Sequence, residues 1–582
     1  MSEIVSPSVI SETGRIDVKE YFFKVLKYIG LFLALTVVTT IFFYIVKPLY
    51  EFEGRKGAVA QCIGVAGFVI VILVAAYCKI KGEMTPDVLL KLILISGYIL
   101  RLAYMLATPV NVRQHDTYNG DLTGHEAYAW IIYSTGKLPT TNNYQFYHPP
   151  LNAFIQATFM RVTNGLTEIL QSVFGLGDVI PSKYLAAMPK VTSTRYVGLT
   201  EYRYYLYSTT QILAVTWSVI TMIALVKTLK LFGLKGYTLA AFSALVVFFP
   251  RHIQFSGQVN NDALAYMFQM LAVYYCLRWW KTGRKLYDLL LCSLCVGLGM
   301  MAKISAAVIC LPIGCVFVYE FVKEIVDAVS AKKKGEKNPW RSVIYISACY
   351  VLFLCLCAPL GLWFQVYANK TFGQGFGFVF SGLNPALKTN HHSLFERLFL
   401  TFDLNELFGS VYCIPFCDMK GETIVAYNNY NLPLYLIRSS LFGEFNNYKG
   451  GECFSSLAYV CALVSVILMI IMLVYCVVLF FKNGKKFETD NAGLKDMAFI
   501  AVLVLTCLIS ETSFYVKMPY ACTMDFRYIM PIILGFAMAF YYARRRVIAA
   551  KTEFGNTLVF LTTSFVVATL VLTTLFYLVC SV

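Results

Sequence analysis

Three acids and two histidines stand close together in one polar segment: His115, Asp116, Asp121, His125 and Glu126. A third histidine, His148, opens a His148-Pro149-Pro150-Leu151 step a little further on. A carboxylate placed this way can take a proton from an attacking hydroxyl. Transfer of a sugar from a phosphate-linked donor needs such a base. It also needs cations or a metal to stabilise the departing phosphate. Three acids in a loop also serve solubility alone, and composition leaves both readings open.

Later segments offer the cations. The run PRHIQFSGQVNND, at 250–262, brings Arg251, Asn261 and Asp262 to the start of an apolar stretch. Asp262 there suits a helix N-terminus, where an acid caps amides and meets the dipole. It equally suits a reacting cavity, with the asparagines beside it and Arg251 near a phosphate. Lys303 stands between two short apolar runs, and charges at membrane depth usually face a partner or a cavity. It is a candidate point charge for phosphate, with snorkelling as the plain alternative. Arg527, in TMDFRYIMP, is a further phosphate candidate, or half of a structural pair with Asp525. His391 and His392 read as solvated, and Glu511 as the end of an apolar run. Trp363 and Tyr367 read as interfacial anchors. Asn369-Lys370-Thr371 is a glycosylation sequon that matters only in a eukaryotic secretory setting. Cys413, Cys417, Cys453 and Cys522 are expected outside, where disulfides are permitted but no pairing is derivable.

The elements that must position these groups are apolar. Of 582 residues, 58% are hydrophobic and 14% charged, against about a quarter charged in soluble domains. Stretches able to cross about 30 Å of hydrocarbon fall near 27–48, 58–80, 88–108, 205–231, 236–250, 261–281, 286–303, 304–323, 341–366, 455–482, 494–516, 527–543 and 556–580. The expectation is an all-α, polytopic helix bundle of about thirteen spans. Residues 1–26 form a cytoplasmic leader with no cleavable signal, and 27–582 the transmembrane domain. The net charge of +16 lies in short clusters between apolar runs, which points away from nucleic acid. With Arg15, Lys19, Lys24 and Lys27 in the cytoplasm, the basic connections at 79–81, 227–235, 278–285, 332–337, 482–486 and 544–546 fall on that side. The long loops at 109–204 and 367–454 then face outward. Within the first, 125–135 and 150–175 have helical periodicity suited to lying along the membrane surface.

The run GHEAYAWIIYSTGKLP, followed by YQFYHPPLNAF, resembles the first extracytoplasmic loop of the GT-C glycosyltransferases. The likeness is to the protein O-mannosyltransferase-like and aminoarabinose-transferase-like group, glycosyltransferase family 39-like. Glu126-Ala127-Tyr128, Gly136 to Pro139 and His148 to Leu151 match that group's pattern in order. The chain departs from it at His125, which stands where the group's aspartate would be. A subgroup with an HD…GH…HPPL arrangement is the nearest likeness, and it favours Asp116 as base, with Glu126 second and Asp121 third.

The resemblance implies a hexosyltransferase-type enzyme. A sugar on a polyprenyl phosphate (undecaprenyl or dolichyl) would pass to an acceptor hydroxyl on a protein, lipid or glycan, with inversion. His115, His125, His148, Arg251, Asn261, Asp262, Lys303 and Arg527 are the expected substrate-binding set. No cofactor is required by the residues; a divalent metal is possible, with no ligand spacing that demands one. The expected setting is a multi-pass membrane protein of a bacterial plasma membrane or a eukaryotic endoplasmic reticulum. A secondary transporter or lipid flippase is the main competing class. It would more often show repeated halves and broken helices at the midplane.

Overall fold

The computed structural model describes residues 18–46, 58–108, 110, 124–142, 144–174, 201–377, 388–399, 401, 403, 406–407, 429–443, 452–483 and 491–579. Helices account for most of these residues. The only β pairing among them is an isolated bridge between Lys388 and Tyr520. Nine of the helices are long and apolar enough to cross a membrane, or up to eleven if each of two bent pairs is one span.

The expected count of thirteen is not reached, and the two stretches responsible have physical reasons. The Leu286–Ala302 helix has 17 residues, about 26 Å at 1.5 Å per residue, short of a hydrocarbon core of about 30 Å. The Asp262–Lys281 helix is long enough, but Asp262, Gln269, Arg278 and several tyrosines lower its apolarity. It is buried along most of its length, against the Gln211–Leu231 and Leu286–Ala302 helices. A helix lined by protein does not need a lipid-like surface.

Burial sorts the bundle into centre and rim. The span Tyr205–Leu231 has 72% of its apolar window buried, whereas Leu26–Val46, Ala58–Ile80 and Phe454–Lys482 have 17% each. The rim helices expose Leu33, Ile70, Ile72, Val474 and Phe481, side chains that only a lipid-like solvent would cover. In the first long loop, helices form at His125–Thr135 and Leu151–Phe174, where periodicity predicts them. The second exposes Val162, Leu166, Ile169 and Val173, a stripe at helical spacing that fits contact with a membrane surface.

Two breaks shape one end of the bundle. Gly236–Val247 and Pro250–Gly257 meet at 57°, and Ala521–Ile529 and Ile532–Ala549 at 62°. Pro250 lacks an N–H and forces the residue before it out of the helical region, so the first break lies there. A broken backbone inside a bundle needs polar partners for its freed groups. Gln211 Nε2 donates to Gly257 O at 2.8 Å and to Thr108 O at 3.0 Å. Arg101, fully buried in the Pro86–Ala107 helix, donates to Val247 O at 2.9 Å and to Ser218 Oγ at 2.7 Å. Its guanidinium also lies 3.0 Å from His252 Nδ1. These bonds hold the 250–261 segment in place.

Candidate active site

Asp262 is the first residue of its helix, and Lys303 ends the Leu286–Ala302 helix in an extended conformation. That break turns the lysine back onto the neighbouring helix, and its Nζ donates to Asp262 Oδ1 at 2.5 Å. Asn261 Nδ2 donates to Ala302 O at 3.2 Å, which keeps the two helix ends in register. Both charges are largely enclosed, with side-chain exposures of 10% for Lys303 and 6% for Asp262.

The second break delivers Asp525, Arg527 and Tyr528 to the same place. Lys303 Nζ lies 5.1 Å from the centre of the Tyr528 ring, and the Arg527 guanidinium is at the same distance. Arg527 Nη2 donates to Tyr528 OH at 3.1 Å. Asp525 accepts from Arg251 Nη2 at 2.7 Å and lies 3.9 Å from Arg527 Nε. The positive charges of Lys303 and Arg527 both bear on Asp262 and on His148. The expected residues Asp262, Lys303, Arg527 and His148 therefore share one electrostatic neighbourhood.

Arg251 is placed differently. It is 1% exposed and gives one nitrogen to Asp525 and another to Gln254. Gly443, at φ +76°, packs against Arg251 and Gln254 so closely that a Cβ there would displace them. The position demands glycine on both counts. Arg251 thus holds Asp525, while Lys303 and Arg527, at 10% side-chain exposure each, are slightly less enclosed.

The first loop docks on this cluster through its Pro-Pro turn. Tyr128 OH donates to His148 O at 3.1 Å, and its ring packs on Phe146. The His125 and His148 rings lie parallel, with centroids 6.0 Å apart. Burial is the main influence that pushes the His148 imidazole well below its usual range; Lys303, His125 and Arg527 add to it. Folded His148 is therefore neutral where the unfolded chain's histidine, at about 6.5, already takes a proton. Its contribution to stability is complete above about 6.5 and is lost as pH falls from there toward the folded value. The expected result is a wild-type melting temperature that drops between pH 7.5 and 5.5 more steeply than that of His148→Gln. Parallel pH curves for the two proteins would contradict it.

Glu126 is buried and gives both carboxylate oxygens to Arg203, whose guanidinium also lies 5.0 Å from the Trp130 ring centre. Burial raises the Glu126 carboxyl above its ordinary value, against the pull of Arg203. A carboxylate whose two oxygens each accept from an arginine is a weaker base than a free one, although each oxygen keeps a second lone pair. His115, Asp116 and Asp121 lie outside the described residues, as do Cys413 and Cys417. Among the described residues no group of three or more His, Cys, Asp or Glu is placed to hold a metal ion.

Sequence reasoning missed Arg203, Tyr528 and the buried Arg101, and read Glu511 only as the end of a run. Glu511 is 2% exposed, its Oε1 has no hydrogen-bond partner among the described residues, and it faces Asp525 and Arg527. The available signal was position: an acid six residues inside the end of a membrane helix is costly unless it serves a site. A separate buried acid, Glu406, accepts from the N–H groups of Tyr430 and Asn431 in the second long loop. Burial pushes its carboxyl up to about 7.

Fold and site together describe a helical membrane protein with a charged cluster where its broken helices meet. Residues 208–363 match the family model described as dolichyl-phosphate-mannose-protein mannosyltransferase. The matched stretch includes Arg251, Asn261, Asp262 and Lys303. It supports a multi-pass membrane glycosyltransferase of the GT-C type, in agreement with the motifs of the first loop. No curated protein and no solved structure matches the chain.

Proposed function

We propose that this protein moves a sugar from a polyprenyl-phosphate donor to an acceptor hydroxyl at the end of the bundle where Asp262, Lys303 and Arg527 meet. The observation that carries this reading is the pair of cations, Lys303 and Arg527, gathered around His148 and Tyr528. With Arg251 balancing Asp525 and Lys303 shared with Asp262, the cluster keeps a net positive charge, which suits a leaving phosphate. A protein acceptor is what the matched family's description suggests.

In this reading the donor's phosphate rests on Lys303 and Arg527, with its isoprenoid tail between the helices. The acceptor oxygen attacks the anomeric carbon from the opposite face. The bond from that carbon to the phosphate oxygen breaks, and its electron pair leaves with the phosphate. The hydroxyl proton passes to a first-loop carboxylate, and one displacement inverts the configuration. Asp116 is the favoured base, as the HD…GH…HPPL likeness implies, with Glu126, paired with Arg203, second. The residues require no cofactor, and a divalent metal among the loop acids remains compatible with this scheme. The basic helix ends, among them Lys79, Lys230, Arg278, Lys281, Lys332 and Lys482, support a cytoplasmic N-terminus and an external site.

Purified protein supplied with labelled polyprenyl-phosphate sugars tests this. Asp116→Asn is expected to reduce turnover by about 10²-fold or more, and Glu126→Gln chiefly to lower stability. Loss of turnover only in a folded Glu126→Gln would reassign the base. The two broken helix pairs are a feature that a transporter would share. Solute flux into liposomes, with no turnover on any sugar donor, would favour that class instead.

A further inference from the structure

A second feature of the bundle shares no residue with the cluster just described. Helices Ala58–Ile80, Gly236–Val247, Ile532–Ala549 and Glu553–Val579 enclose a groove of about 760 Å³. Its walls are almost wholly apolar: Phe68, Leu245, Phe248, Phe540 and Leu570 are typical. It opens on the rim, where the lining residues Ile72, Val567 and Val571 are more than half exposed. Along the Glu553–Val579 helix the lining runs from Thr563 to Leu578, about 22 Å at 1.5 Å per residue. One leaflet contributes about 15 Å of a 30 Å hydrocarbon core, so a whole acyl chain fits along that wall.

Among the described residues, the groove's one charged lining residue is Arg544, beside Tyr237 and Thr238 at the starting end of the Gly236–Val247 helix. Arg544 begins the run Arg544-Arg545-Arg546, in the last turns of its own helix. No acid among the described residues lines the groove. An apolar channel open to the rim, with an arginine at one end, is complementary to an anion carrying a long hydrocarbon tail. Arginine offers a forked donor set that matches a phosphate better than a lysine's point charge.

We infer that this groove is a binding site for an anionic glycerophospholipid, its phosphate on Arg544 and an acyl chain along the Glu553–Val579 helix. The lipid comes from the leaflet at the Arg544 end, which is the cytoplasmic one in the orientation proposed above. The site is separate from the donor's position and does not depend on the transferase reading.

The test uses the full-length protein in detergent, equilibrated with equal amounts of phosphatidylglycerol and phosphatidylcholine and analysed by native mass spectrometry. Wild type is expected to retain phosphatidylglycerol over phosphatidylcholine by about five-fold, the value of one basic residue at an anionic headgroup. Arg544→Gln is expected to erase that preference, whereas Arg545→Gln, beside it but outside the lining, keeps it. Ala241→Trp, which fills the groove, is expected to reduce retention of both lipids. Far-ultraviolet circular dichroism and elution volume check that each variant is folded. Equal retention of the two lipids by wild type would overturn the inference. So would equal effects of the Arg544 and Arg545 changes, which would indicate only a general basic surface. A dimer split by Val571→Arg, without any headgroup preference, would give the groove to a second copy of the chain.

Discussion

Lys303→Met is expected to lower turnover by about 10²- to 10³-fold, the usual loss when one group that stabilises transition-state charge is removed. The difficulty is that Lys303 also neutralises Asp262, which is 5% exposed. Leaving a buried carboxylate without its cation costs about 3–5 kcal/mol, so the single variant will be less stable as well as less active. The double variant Asp262→Asn with Lys303→Met separates the two effects. It removes both charges, leaves similar volumes, and should recover much of the lost stability. If Lys303 binds the donor's phosphate, turnover stays low in the double variant while melting returns toward wild type. Recovery of turnover together with stability would reduce the pair to a strut between two helix ends. Lys303→Arg is informative for the same reason: charge is kept, but the longer fork reaches beyond the ammonium's position.

The largest effect on stability is expected at Arg251. Its guanidinium and the Asp525 carboxylate are 1% and 0% exposed and bonded at 2.7 Å. Arg527 Nε, at 3.9 Å, gives Asp525 only weak compensation. Arg251→Met should therefore cost about 3–5 kcal/mol, the range for breaking a buried pair from one side. The same change removes a contact that Gln254 and Gly443 are built around. Urea or thermal unfolding in detergent, followed by helical circular dichroism, measures the cost. Arg251→Met combined with Asp525→Asn should lose much less. A single variant as stable as wild type would mean that Asp525 is neutral in the folded protein. The position of the second broken helix would then need another explanation.

Much of this molecule could be read from residue order. The spans near 27–48, 58–80, 88–108, 205–231, 341–366, 455–482 and 494–516 are helices in the structure within a few residues. Each carries a long uniform apolar run, and such a run has few alternatives in lipid. The helices at 125–135 and 151–174 were legible because their apolar residues recur at helical spacing. The expected spans that are not confirmed lie at the centre of the bundle. There the Asp262–Lys281 helix is surrounded by protein, so its composition is no longer governed by lipid.

The site was less legible. Asp262 and Lys303 could be named as candidates separately, since each is a charge at an apolar boundary. Nothing in their spacing says that they bond to one another, because they lie on different helices. Arg251 was expected near phosphate, and only packing shows that it pairs with Asp525. Glu126 was expected as a possible base, and only the fold shows that its oxygens accept from Arg203, far along the chain. Glu511 showed only as the last polar residue of a run, and three-dimensional proximity sets it opposite Arg527.

Hydropathy along the chain determined the helical membrane class, the positions of most spans and the loop that carries the acids. These are local properties, set by how each stretch of about twenty residues partitions between water and hydrocarbon. Tertiary structure alone decided which charges neutralise each other. Charge pairing acts over a few ångströms in a low-dielectric interior, and only the folded bundle brings residues 262, 303 and 527 within that range.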